Sequence, residues 1–274
     1  MNVTLNNGLS MPQLGFGVFK VEDGQVAVDA VKKAIEVGYR SIDTAAIYQN
    51  EKGVGQGIRE SGVAREDLFI TTKVWNSNQG YEQTLQAFDE SLEKLGLEYI
   101  DLYLVHWPMP KDDTYIDTYK ALEKLYEDGK VKAIGVCNFK IAHLERLLQE
   151  CKIPPVLNQV ELHPYYAQVE LREFCAKHNI FVEAWAPLMQ GGDVLTNEQI
   201  TSLAQKYKKT PAQIIIRWHL QNNIIVIPKS SNPTRIEENI GVFDFELTTE
   251  DMAQIDALNK NERIGPDPDE FHVK

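Results

Sequence analysis

Apolar and polar positions alternate along this chain in two rhythms. Short, β-rich apolar runs occur near Leu14–Val18, Ser41–Asp43, Leu68–Lys73, Tyr99–His106, Lys132–Cys137, Val156–Val160, Ile180–Trp185 and Ile224–Ile227. Most are continuously apolar, the pattern of strands buried on both faces of a parallel sheet. Between them lie amphipathic stretches at helical spacing. Leu85, Phe88, Leu92 and Leu95 step by three and four before Gly96, which predicts a helical stripe with a C-terminal stop. Ala30, Val31, Ala34 and Ile35 run to Gly38, and Leu122, Leu125 and Tyr126 run to Gly129. Leu171, Phe174, Cys175 and His178 form a further stripe. For the residues of these stripes, core packing is the plain expectation.

Eight strands, each followed by a helix at intervals of roughly 30 residues, predict an α/β fold of the closed (β/α)8 TIM-barrel type. The rival, an open doubly wound sheet, usually carries a glycine-rich phosphate loop directly after a strand. Gly15-Phe16-Gly17 lacks the third glycine, and Gly53-Val54-Gly55-Gln56-Gly57 sits in a helix-like segment with Ile58 where the last glycine belongs. Asn6-Asn7-Gly8 between Thr4-Leu5 and Ser10-Met11 predicts a hairpin that plugs the barrel floor. Thr196–Lys208, preceding a helix at Pro211–Asn222, and Thr249–Leu258 read as two helices additional to the eightfold count. No linker or composition break divides residues 1–274, so one domain is expected.

Composition narrows the function. With 28 Lys and Arg against 40 Asp and Glu, the net charge is −12. Nucleic-acid phosphates and anionic membranes would be repelled, whereas a small anion needs only one local basic pocket. Three widely spaced cysteines, Cys137, Cys151 and Cys175, form no C-x-x-C pair and suit a reducing cytoplasm. The opening MNVTLNNG lacks the pattern of a signal peptide. Apolar runs such as Ile224–Ile227 are far shorter than the roughly 20 residues of a membrane helix. None of the six histidines makes an H-x-x-x-H or H-E-x-x-H pair, so no metal site is expected.

In a barrel, chemistry belongs at the carboxyl ends of the strands. Asp43 closes the second strand, with Tyr48 in the loop beyond; Lys73 closes the third and His106 the fourth. A charged residue ending a buried strand is costly unless paired. Singly, Asp43 and Lys73 read as a buried ion pair and His106 as a core imidazole. Together, a carboxylate, phenol, ammonium and imidazole at one barrel mouth point to catalysis.

Three long segments carry a resemblance: GYRSIDTAAIYQNE at Gly38–Glu51, LYLVHWP at Leu102–Pro108 and IPKSSNPTRIEEN at Ile227–Asn239. With these in order over nearly the whole chain, the sequence resembles the aldo-keto reductases, and within them the small bacterial glyoxal, methylglyoxal and 2,5-diketogluconate reductases. The resemblance implies NADPH-dependent reduction of small aldehydes and ketones by a monomer, with Asp43, Tyr48, Lys73 and His106 as a catalytic tetrad. Tyr48 would be the general acid, its pKa lowered by the Lys73 ammonium; Asp43 would hold Lys73, and His106 would orient the carbonyl. It places Asn138 and Gln159 on the nicotinamide carboxamide beside Cys137, where many relatives have serine, and stacks Trp185 on the nicotinamide. Gly17, Phe19, Pro187 and Leu188 would line the cofactor. Lys229, Ser230 and Arg235 would grip the phosphate peculiar to NADPH, with Glu238 and Asn239 at the adenine. Phe19, Tyr48, His106 and Trp107 would face the substrate. Short loops and an early chain end imply an open site. A barrel that binds NADPH as a sensor without turnover is the alternative, and the complete tetrad weighs against it.

Overall fold

In the computed structural model, which describes residues 1–274, all eight expected strands are present. They are β3 (Phe16–Gly17), β4 (Ser41–Asp43), β5 (Phe69–Val74), β6 (Ile100–Val105), β7 (Val131–Cys137), β8 (Leu157–Glu161), β9 (Phe181–Trp185) and β10 (Ile225–Val226). Each is hydrogen-bonded to the next in parallel. The first and last strands then meet. Gly15 N donates to Val226 O and Val226 N to Gln13 O, each at 2.9 Å, and Gly17 bridges Lys229. The sheet is therefore a closed barrel. These two strands are shorter than their apolar runs because the seam is made of single bridges, with Pro228 offering no N–H to a ladder.

Helices α1 (Gln25–Glu36), α2 (Glu51–Glu60), α3 (Tyr81–Leu95), α4 (Tyr115–Glu127), α5 (Ile141–Glu150), α6 (Val169–Lys177), α8 (Pro211–Gln221) and α9 (Pro233–Ile240) form the outer ring. The two additional helices are α7 (Glu198–Tyr207) and α10 (Thr249–Asp256). The α3 stripe stops where Gly96 takes φ 64°, a left-handed conformation that costs glycine little. The glycines of α2 serve packing: a Cβ at Gly55 would stand 2.0 Å from the Leu95 carbonyl oxygen at the end of α3. No helix is long and apolar enough to cross a membrane.

The core has two compartments. The larger fills the space between strands and helices. The smaller lies inside the barrel, where Phe69, Leu102, Leu104, Leu157 and Ile225 meet Leu5 and Met11 of the hairpin. That hairpin, β1 (Asn2–Thr4) and β2 (Ser10–Pro12), is pinned by Asn6 to Pro155 O and by Asn7 to Lys132 O. It shuts the floor, so the interior opens to solvent at the carboxyl ends of the strands.

Candidate active site

Three strands and one loop deliver the polar cluster to that open end. Asp43 ends β4, Lys73 is the penultimate residue of β5, and His106 follows β6 directly. Tyr48 closes a single 3-10 turn, Ala46–Tyr48, in the loop after β4. Lys73 Nζ donates to Asp43 Oδ1 at 2.6 Å and to Thr44 O at 2.8 Å. It stands 5.2 Å from the centre of the Tyr48 ring, which packs edge-on to His106 at 5.8 Å. Asp43, Lys73 and His106 are buried, and Tyr48 is half-buried. All four tetrad side chains thus meet at one place.

Their electrostatics differ in one respect from the sequence expectation. Burial dominates at Tyr48 and pushes its phenol up to about 12, with the Lys73 ammonium pulling the other way. The lysine restrains the rise without reversing it. Burial works against the charge on Lys73, but the facing Asp43 carboxylate overcomes this and raises its pKa. His106 is driven well below its ordinary range by burial and then by Lys73, so its imidazole is neutral. Its Nδ1 is buried without a partner.

Asn138 and Gln159 lie beside this cluster with part of their amides already used. Asn138 Nδ2 donates to His106 O at 2.9 Å, and its Oδ1 accepts from Trp185 Nε1 at 2.8 Å. That second bond fixes the plane of the Trp185 ring. Both N–H groups of Gln159 point at carboxylates, Asp43 and Glu183. Gln159 Oε1 and one Asn138 N–H remain, an acceptor and a donor that complement a carboxamide. Behind them Ala186, Met189 and Gln190 all have positive φ, so the chain turns sharply past Pro187 and Leu188.

Further along the rim, three cations face no acid. Lys20 donates to Gln190 Oε1 at 3.1 Å, while Lys229 and Arg235 are exposed and make no salt bridge. Partial burial and the nearby Lys20 lower the pKa of Lys229. Ser230 Oγ accepts from Asn232 N, and Asn232 caps α9 by accepting from Arg235 N. Glu238 is exposed on α9 and Asn239 buried. Gly17 lies tight on the seam, where a Cβ would be 3.1 Å from Ile227 O; Phe19 is exposed, its ring 5.1 Å from Tyr48.

Cys137 is completely buried with the inner apolar cluster, as free cysteines commonly are, and burial pushes its pKa well above the ordinary thiol value. Two expectations need correction. Trp107 is no open wall, because Phe271 covers its ring at 4.2 Å. Nor is the mouth uncovered. Glu161 accepts from Ile264 N and Gly265 N, Lys140 pairs with Asp267 and Asp269, and Asn76 donates to Val273 O. The last eleven residues are thereby strapped over the barrel, which the count of residues after the last helix could not reveal. This brings in Phe271 and, through it, Trp75, whose ring packs edge-on to His106 at 5.2 Å. Trp75 follows β5 directly, and that position was the available signal.

Comparison with known proteins gives this geometry its context. The model of the aldo/keto reductase family matches residues 13–260. The chain belongs to the aldo/keto reductase family. It is 60 % identical over 269 residues to a glyoxal reductase of Bacillus subtilis, covering 98 % of this chain and 96 % of that protein. It is 52 % identical over 270 residues to a methylglyoxal reductase of Salmonella typhimurium, covering 98 % and 97 %. A variant of Gox0644 solved in complex with NADPH superposes with a TM-score of 0.95 at 46 % identity, covering 100 % of this chain and 99 % of that one. An aldo/keto reductase is an oxidoreductase.

Proposed function

We propose that this chain reduces small aldehydes and ketones to alcohols with NADPH, with dicarbonyls such as glyoxal and methylglyoxal as the first substrates to try. The carrying observation is the meeting of Tyr48, Lys73, Asp43 and His106 at the open end of a barrel whose floor is shut. The names of the relatives support the substrate class.

When bound, NADPH supplies the hydride. The residues of the chain manage the proton and the orientation. Tyr48 gives its phenolic proton to the oxygen that becomes the alcohol, and Lys73 stabilises the tyrosinate left behind. Asp43 keeps Lys73 charged and in place. A neutral His106 orients the carbonyl without adding charge. Gln159 and Asn138 would hold the carboxamide, and Trp185, locked by Asn138, would offer its face to the nicotinamide. Gly17, Phe19, Pro187 and Leu188 line the groove toward Lys229, Ser230 and Arg235, whose unpaired cations suit a doubly charged phosphate. Glu238 and Asn239 would lie at the adenine. Phe19, Trp75 and Phe271 border the substrate, with Trp107 as backing.

We read residues 1–274 as one catalytic domain, working as a monomer in a reducing cytoplasm. Its cysteines are all free, and two of them are buried. The decisive test is Tyr48→Phe, followed by loss of NADPH absorbance with methylglyoxal. Turnover should fall by roughly a hundred- to ten-thousand-fold while NADPH binding holds. Near-wild-type turnover would end the role given to Tyr48.

A further inference from the structure

Inside the barrel lies a second carboxylate that the reaction described above does not use. Glu183 sits at the centre of β9, completely buried, in register with Gln159 on β8 and Ile225 on β10. Its Oε2 accepts from Gln159 Nε2 at 2.7 Å, and the same nitrogen donates to Asp43 Oδ2 at 2.8 Å. Asp43 Oδ1 holds the Lys73 ammonium at 2.6 Å. One polar chain thus runs across the barrel from Glu183 through Gln159 and Asp43 to Lys73. At its far end, Glu183 Oε1 has no partner.

This polar network contains two carboxylates and one ammonium, all of them buried. Asp43 touches the ammonium. Glu183 touches only a neutral amide, with the Asp43 charge on the other side of it. An anion there would have one uncompensated oxygen and a like charge nearby, so keeping the proton is the cheaper state. Burial, then the Asp43 charge, pushes the Glu183 carboxyl up to about 8. The other groups facing it are Asp43 from β4, Lys73 from β5 and Cys137 from β7, the last held as a thiol by burial. Ile225 on β10 is apolar.

We propose that Glu183 is a positioning residue that works as a neutral carboxylic acid. It fixes the Gln159 amide so that Oε1 is the free acceptor for the cofactor carboxamide, and it spares the Asp43–Lys73–Tyr48 set a second negative charge. The inference rests on Tyr48 being the proton donor. Ionising Glu183 would disfavour the tyrosinate further, so reduction should slow as pH rises through its titration.

Two measurements test this. In the wild-type protein labelled with carbon-13 at the glutamate side-chain carboxyls, one resonance should titrate near pH 8, and Glu183→Gln should remove it. If every glutamate titrates below about pH 6, the proposal is overturned without reliance on any variant. The second is the ratio of kcat/KM at about pH 6 to that at about pH 10. It should be on the order of tenfold larger in wild type than in Glu183→Gln, which cannot ionise. Glu183→Ala should in addition weaken NADPH, read by quenching of protein fluorescence, where Glu183→Gln binds more tightly than the alanine variant. A residue that only packs would lower the melting temperature in both variants and leave the pH ratio unmoved, which also overturns the proposal. Tyr48→Phe is measured in parallel: if it stays active, the reading of the tetrad has failed; if it is inactive and the ratio is unmoved, only the role of Glu183 has.

Discussion

The rim of the cofactor groove and the interior of the barrel use the same kinds of charge under opposite conditions. On the rim, Lys229 and Arg235 stand in solvent without an acid, on a protein whose net charge is −12. Inside, Lys73 has no exposed surface and touches Asp43 at 2.6 Å, with Gln159 and Glu183 completing the chain. Water screens a surface cation, so it can be left unpaired until an anion arrives. A buried cation must bring its counter-charge with it. The rim charges are therefore available to a ligand, while the interior charges are committed to each other and, in the mechanism proposed above, would act through Tyr48.

That contrast can be broken from either side. The largest effect should come from Asp43→Ala, which leaves the Lys73 ammonium buried with only Thr44 O as partner. Loss of one partner of a buried pair typically costs about 3–5 kcal/mol. Urea denaturation should show this, and a midpoint equal to wild type would mean that Lys73 is not held as an ion pair. On the rim, Arg235→Ala should leave stability alone and weaken NADPH by roughly ten- to a hundredfold, with far less effect on NADH. Equal losses for the two cofactors would place the extra phosphate elsewhere.

Smaller effects sharpen the picture of the interior. Cys137→Ser puts a hydroxyl into the apolar inner cluster and should cost about 1 kcal/mol of stability, with NADPH affinity unaltered. The native thiol should also resist alkylation, since it is buried and held protonated. Rapid modification of Cys137 protected by NADPH would place it at the cofactor site instead. Smallest of all is the pH effect expected for His106. Its pKa lies well below the ordinary value, so protonation comes only in stronger acid. The kcat/KM profile should pass through about pH 6.5 without an inflection. A break there would show that His106 gains a charge in the working range.

Much of the molecule was legible along the chain because it depends on local rules. Continuous apolar runs marked the eight strands, three- and four-step stripes with terminal glycines marked helices, and Asn6-Asn7-Gly8 marked the hairpin. Asp43, Tyr48, Lys73 and His106 stood out because polar residues at the ends of buried strands contradict the packing pattern around them. Arg235 and Lys229 came from a motif, since isolated surface cations carry no signal of their own.

What remained depends on distances that no spacing encodes. The sequence by itself determined the alternation of elements, the barrel, and which residue types reach its mouth, since periodicity and strand ends are one-dimensional facts. Only the tertiary structure decided that Glu183 meets Asp43 through Gln159, because inward-facing side chains from distant strands become neighbours when the barrel closes. It alone decided that burial outweighs Lys73 at Tyr48, how completely Cys137 is buried, and that Phe271 returns over Trp107. Each of those outcomes is a balance of desolvation against partners, and both are set by what lies across the barrel.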